Sequence, residues 1–299
     1  MAKKKNIVYD FPHPMDNDTL VGHMETVKTF MDAWAGRDRH PIHPVWMLTG
    51  PRGIGKATLA YKLARMVYGN VGDFFIVDMA HNVDKDNKPK PDAKEISVFT
   101  VRLMLDKMRL SAMSDSWRVV LIDSLDELTK AASNALLKLL EEPPEKTLFL
   151  LVAHQLSNVL PTIRSRSRVE KMRPLSISEL RDLCVFFMPD DDINTDILRL
   201  SNGSFGKIAD MKQTGGDEIY DSLIEVLQDA KSTSSDLMMI AKKIAPNPEV
   251  YSILLDAITY FKLADLYPIA TKSIDDISAV HLEPEVGIFK VLMDIKKCL

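Results

Sequence analysis

The sequence predicts an α/β phosphate-loop domain followed by helical domains, and three observations carry that prediction. An apolar run at Val45–Leu48 breaks into Gly50-Pro51-Arg52-Gly53-Ile54-Gly55-Lys56, then resumes as a helix with Leu59, Leu63 and Val67 on one side. Further short strand-like runs, Asp73–Asp78, Val119–Asp123 and Thr147–Val152, are interspersed with helical patterns. Residues 217–299 are helical in pattern almost throughout. Strand, glycine loop, lysine and helix in that order bind phosphate. The glycines permit tight turns, the amides converge on phosphate oxygens, and Lys56 adds a point charge at the helix N-terminus. A bare turn before a helix is the ordinary alternative.

The 299 residues accommodate a full α/β domain and one or two smaller helical ones. A formal charge of -4 and a pI near 6.0 exclude a strongly basic nucleic-acid coat and leave local patches open. Cys184 and Cys298 are too few for a thiolate zinc site or a disulfide framework. Met1–Tyr9 is basic without the apolar core of a signal peptide, and no later run reaches membrane-spanning length. The expected location is cytoplasmic, with no membrane partner.

Residues 1–19, with Pro12 and Pro14, read as a loose or draped arm. Thr19 is the expected cap of a first helix carrying Val21, Val27, Phe30, Met31 and Trp34 on its apolar side. Leu20-Val21-Gly22-His23 lies where a nucleotide base would be covered, although His23 alone reads more simply as a surface or capping residue. His40, Pro41 and His43 form a turn, and their spacing does not make a metal site. Residues 81–94, with Asn87-Lys88-Pro89-Lys90-Pro91, read as an exposed loop or hairpin. Ile96–Leu110 is an expected helix packing Val98, Val101, Leu105 and Met108. Val119–Asp123 is the expected central parallel strand. Ala131–Glu142 is a helix stopped by Pro143-Pro144, and the strand after it ends at Ala153-His154.

The loop departs from its motif in a way that bears on chemistry. The residue after the lysine should carry a hydroxyl for magnesium, and here it is Ala57. Thr58 comes one place late, turned by about 100° along the helix. Asp123, at a strand end, suits a magnesium-linked role or caps a turn. The water-polarising acid expected beside it is Ser124, with Asp126 and Glu127 further on. The two absences together predict no competent hydrolase. Arg164, Arg166 and Arg168 alternate in a short segment. Spacing alone leaves open whether one reaches a neighbouring subunit's phosphate or all three are solvated.

The succession GPRGIGK, VVLIDSLDEL, NALLKLLEEPP and LPTIRSRS over residues 46–169 resembles the delta-prime subunits of the bacterial DNA polymerase III clamp loader, which are AAA+ proteins. The resemblance implies an AAA+ P-loop domain at 1–172, a small helical lid at 173–215 and an all-helical collar at 216–299. It implies a stator rather than a motor, without independent ATPase activity. Such a subunit assembles with gamma/tau and delta subunits and meets the beta sliding clamp and primer-template DNA through the complex. An autonomous AAA+ ATPase acting on DNA or protein is the alternative. Arg166 matches the arginine finger of the family's Ser-Arg-Cys motif, with Ser167 in place of the cysteine. The implied nucleotide-binding residues are Gly50, Gly53, Gly55, Lys56, Thr58 and Asp123, with His154 at the sensor-1 position and Lys207, in Gly203–Lys207, at sensor 2. A strand-end cap and a solvated helix charge are the plainer readings of these last two. No cofactor is required, and ATP or ADP binding is expected to be weak. Many members carry a four-cysteine zinc module near residues 69–95; here that region has no cysteine, so no zinc is expected. The lid helix would pack Ile177, Leu180, Leu183 and Phe187. The collar would pack Leu223, Val226 and Leu227, then Val250, Ile253, Leu254 and Ile258, and finally Val286–Ile295.

Overall fold

Short, continuously apolar strands build a sheet that is covered on both faces. The computed structural model describes residues 11–69, 72–90, 93–110, 116–191, 193–279 and 283–299. In it β1 (Val45–Thr49), β2 (Asp73–Val77), β3 (Arg118–Ile122), β4 (Thr147–Ala153) and β5 (Arg168–Lys171) pair in parallel in the order β2-β3-β4-β1-β5. Helices α1 (Met24–Ala35) and α2 (Lys56–Tyr68) cover one face, and α3 (Val98–Leu110) and α4 (Lys130–Glu141) cover the other. Successive strand residues point to opposite faces. Trp46, Leu48, Leu148 and Leu150 therefore meet Leu59, Leu63 and Val67, while Val45, Met47, Phe149 and Leu151 meet Val101, Met108 and Leu136. Each such side chain fully buried is worth roughly 1.5–3 kcal/mol.

The strand expected at the centre, β3, is one place off it. The middle strand is β4, hydrogen-bonded on both sides and buried along all seven residues. A run that is apolar on both faces marks a covered parallel strand, but strand order is decided by pairing, which no single run encodes. The first helix begins at Met24, not at Thr19. His23 precedes it in a left-handed conformation (φ 59°) and leaves Val21 outside the helix, and Met31 is exposed. Among the arm residues, 1–10 lie outside the described residues. Residues 12–19 are draped on α2: Arg65 pairs with Asp18, Lys62 donates to the Asp18 carbonyl, and the His13 ring packs edge-on against Tyr61.

The polar stretch after β2 forms a hairpin in which Val83 and Pro89 pair and the Asp84 carboxylate accepts the Lys88 amide at 2.9 Å. Pro91, also expected there, lies outside the described residues. Buried Asn82 holds the hairpin base. It donates to the Glu95 carbonyl at 2.9 Å and accepts from the Ser97 amide at 3.0 Å and the Thr100 hydroxyl at 2.9 Å.

Contacts divide the chain into two compact units, Pro12–Leu175 and Ser176–Leu299 with Phe11. The first unit also holds the short helix α5 (Pro161–Arg164); the helices of the second are α6 (Ile177–Phe187), α7 (Thr195–Leu200), α8 (Phe205–Thr214), α9 (Gly216–Gln228), α10 (Ser234–Ile244), α11 (Ser252–Tyr260), α12 (Tyr267–Ala279) and α13 (Pro284–Cys298). Ser176 and Glu179 form a capping box at the start of α6. Leu180 and Leu183 are buried as expected, whereas Ile177 is exposed. The expected lid–collar boundary falls at Gly215, a left-handed residue (φ 68°) joining α8 to α9. Leu200 and Met211 before it share one core with Tyr220, Leu254 and Leu292 after it. Lys212 pairs with Asp191 at 2.8 Å and Asp217 at 2.7 Å, tying α8 to the start of α9. Val286 is exposed at the start of the last helix, and Ile288, Val291, Leu292 and Ile295 form its buried side. Among the described residues no helix is long and apolar enough to cross a membrane.

Candidate nucleotide site and arginine segment

Parallel register gathers the strand ends. Thr49 pairs with Ala153, so Gly50 and His154 leave the sheet side by side; Val77 pairs with Ile122, so Asp78 and Asp123 do likewise. Neighbouring strands β1 and β4 continue into α2 and α5, which pack on opposite faces. The crevice at such a switch point is where open α/β sheets bind ligands.

The loop at that crevice has a backbone that favours glycine, and at Gly50 requires it. Gly53 and Gly55 have φ 76° and 97°, and a Cβ on Gly50 would stand 2.6 Å from the Met172 carbonyl oxygen. Lys56 opens α2, and its ammonium donates to the Gly50 carbonyl at 2.7 Å. Burial pushes its pKa down to about 8, opposed by the charges of Asp126 and Asp123. On the outer side, His23 Nε2 donates to the Ile54 carbonyl at 2.7 Å, and Leu20 lies against Gly55. The Leu20–His23 stretch is thus fastened to the phosphate loop itself. Ala57 follows Lys56, and Thr58 is buried in the packed side of α2.

Asp123 stands half-buried at the end of β3, its amide bonded to the Val77 carbonyl at 2.9 Å. Burial, then the neighbouring Asp78, push its carboxyl up to about 6 against the pull of Lys56. Ser124 turns left-handed (φ 68°), and its Oγ lies 3.2 Å from Nε2 of His154. A hydroxyl therefore faces the imidazole where the motif would place a water-polarising carboxylate. His154 Nδ1 is buried without a hydrogen-bond partner among the described residues. Burial and the Lys56 charge hold its pKa down to about 4, leaving a neutral ring at pH 7. Asp126, not singled out from the sequence as a site residue, accepts the amides of His154 and Gln155, each at 2.9 Å, and so caps β4. Glu127 pairs with Arg52 of the phosphate loop at 3.3 Å. These residues fit a nucleotide's phosphates through the glycine cradle and Lys56, and offer no hydroxyl after the lysine for magnesium. Among the described residues no group of three or more His, Cys, Asp or Glu side chains is arranged to hold a metal ion.

The three arginines after β4 have three different environments. Proline at the first position of α5 and buried Ile163 set the short helix in place. Arg164 is exposed. Arg166 donates from Nη2 to Glu141 at 2.7 Å and from Nη1 to the Thr162 carbonyl at 2.9 Å. Ser167, in place of the motif cysteine, donates to the Ile163 carbonyl at 2.7 Å. Arg168 stacks over Trp46, 4.2 Å from the ring centroid, and pairs with Glu170 at 2.9 Å. Lys207 belongs to the helical unit, where its ammonium is paired with the buried Asp256 of α11.

A family profile described as "DNA polymerase III, delta subunit" matches residues 25–176, about half of the chain. The chain belongs to that family. Among relatives of this delta-family chain, the DNA polymerase III subunit delta' of Yersinia pestis is 41% identical over 101 residues, covering 34% of the chain and 27% of the relative. DNA polymerase III subunit gamma of Buchnera aphidicola subsp. Acyrthosiphon pisum is 28% identical over 225 residues, covering 72% of the chain and 60% of the relative. The chain thus spans less than two thirds of the length of these curated relatives. A solved DNA polymerase III gamma subunit-related protein of Thermotoga maritima superposes with a TM-score of 0.50 at 18% identity, over 92% of this chain and 99% of that one. That likeness concerns the fold alone: the delta-family chain has the α/β AAA+ fold with a helical C-terminal region.

Proposed function

We propose that this chain is a non-motor subunit of a replicative DNA clamp loader. It assembles with gamma/tau and delta subunits and supplies Arg166 to a neighbour's ATP during sliding-clamp loading. The beta clamp and primer-template DNA are met through the complex. Residues 173–215 serve as the lid, and 216–299 as the collar that joins the ring. The observation that carries this reading is the pairing of Ser124 with His154 beside a phosphate loop that follows Lys56 with Ala57. The loop keeps what holds phosphate, so weak ATP or ADP binding is retained. It lacks what orients magnesium and activates water, so turnover is not. Loss of hydrolysis leaves the arginine as the chain's contribution to catalysis, and an arginine acts without chemistry of its own by stabilising charge on the transferring phosphoryl group.

The test is steady-state ATP hydrolysis by the purified chain at saturating ATP and magnesium, alongside its assembly with partner ATPase subunits. Background phosphate release from the chain alone, with stable assembly, is expected. Turnover near one per second, lost on Lys56→Ala, favours instead an autonomous AAA+ ATPase acting on DNA or protein. A 1–215 fragment that still assembles in full would remove the collar from the proposal.

A further inference from the structure

Arg166 is not free in its own chain. Its Nη2 donates to Oε1 of Glu141 at 2.7 Å and its Nη1 to the Thr162 carbonyl at 2.9 Å, with the Ser165 hydroxyl 3.4 Å from the same nitrogen. Nη1 and Nη2 form the edge of the guanidinium that grips a phosphate bidentately. Both nitrogens are turned back onto α4 and α5. The elements holding the two partners are fixed: buried Leu136 and Leu140 anchor α4, whose last residue is Glu141, and buried Ile163 anchors α5. The pair itself is half-exposed, 35% for the arginine side chain and 47% for the glutamate. A half-exposed ion pair is weakly held, and a polyanionic phosphate is a stronger partner for the fork than one carboxylate oxygen.

We infer that Glu141 is a positioning residue that parks Arg166 on its own subunit, as a competitor that a neighbour's nucleotide phosphate must displace. The inference rests on the arginine-finger reading above. While parked, the guanidinium's charge is neutralised and its orientation fixed by Glu141 and Thr162; engagement exchanges the carboxylate for phosphate, leaving the helices where they are. Parking is undone before the transition state is reached, so it subtracts from kcat/KM, which measures the whole climb from free ATP.

The experiment reconstitutes the complete assembly with wild-type, Glu141→Gln, Arg166→Ala and doubly substituted chains, and measures kcat/KM for ATP. Subtracting the Arg166→Ala assembly isolates the Arg166-dependent part, because hydrolysis at sites served by other arginines cancels. Glu141→Gln keeps size and polarity, and its position is half-exposed, so assembly and Tm should match wild type. The Arg166-dependent part should rise about two- to five-fold, the range a half-exposed ion pair supports. The same substitution should change nothing in the Arg166→Ala background. An unchanged or lowered Arg166-dependent part overturns the parking role, as does an equal gain in the absence of Arg166. If Arg166→Ala alone leaves kcat/KM untouched, the finger reading itself falls, and that result is distinct from both.

Discussion

The phosphate loop and the arginine segment depart from their motifs in opposite ways. At Gly50–Lys56 the demanding part, a backbone with glycines at positive φ and no room for a Cβ at Gly50, is intact. The side chains that make such a loop hydrolytic are missing, at Ala57 within it and at Ser124 on another strand. At Ser165–Ser167 the cysteine of the motif is replaced, yet the arginine stays on the surface and the serine hydroxyl bonds the Ile163 carbonyl. The difference teaches that holding phosphate and hydrolysing it are separable. Binding rests on the backbone and the lysine of one loop, whereas hydrolysis needs further side chains converging from the ends of β1, β3 and β4. On the proposed reading, Ala57 and Ser124 remove the second and leave the first in place.

The largest effects that sharpen this contrast come from the desolvated charges of the phosphate loop and the end of β3. The folded pKa of Lys56, lowered from 10.5 to about 8, means that its stabilising contribution is present only above the unfolded value and is lost as pH falls through 8. At pH 7 the charged ammonium therefore opposes folding. Lys56→Met should raise stability to urea at pH 7 by on the order of 1–3 kcal/mol while abolishing nucleotide binding; lower stability would contradict the account. Asp123 works in the opposite sense. Its folded pKa is raised from 3.8 to about 6, so its contribution is present below pH 4 and lost as pH rises through 6. Asp123→Asn should flatten the stability profile between pH 4 and 6 and gain about 1–2 kcal/mol at pH 7. An unchanged profile would show that the carboxyl is not held out of water.

Smaller effects separate the arginines. Arg168→Ala loses the stack on Trp46 and the pair with Glu170, and should cost about 1 kcal/mol of stability with assembly-stimulated hydrolysis preserved. Arg164→Ala, at an exposed position, should stay within about 0.5 kcal/mol of wild type in thermal unfolding.

What was legible in the sequence was local. The strand–loop–helix at Val45–Val67 and the apolar runs of β3 and β4 announce themselves because their buried residues recur at strand or helix period. Helix starts and strand order depend on partners elsewhere. His23 stands at the start of α1 with its ring bonded to the Ile54 carbonyl, 31 residues away in sequence. Asn82 holds the polar hairpin through partners 13, 15 and 18 residues along, so the pattern alone leaves loop and hairpin both open. Lys207 finds Asp256 at a separation of 49 residues, and nothing in the pattern around either announces the other. The arginines show the same limit. Their even spacing leaves open whether one reaches a neighbour's phosphate or all three are solvated, and tertiary contacts give each its own surroundings: solvent for Arg164, Glu141 for Arg166, Trp46 for Arg168.

The central claim is that this chain contributes an arginine to hydrolysis and no hydrolysis of its own. It is tested most directly by one paired measurement: DNA- and clamp-stimulated ATP hydrolysis by the reconstituted assembly carrying either Lys56→Ala or Arg166→Ala in this chain. Arg166→Ala should assemble normally and lower the stimulated rate, incompletely because other sites have their own arginines, whereas Lys56→Ala should leave it at the wild-type value. A rate that falls with Lys56→Ala and holds with Arg166→Ala would contradict the account.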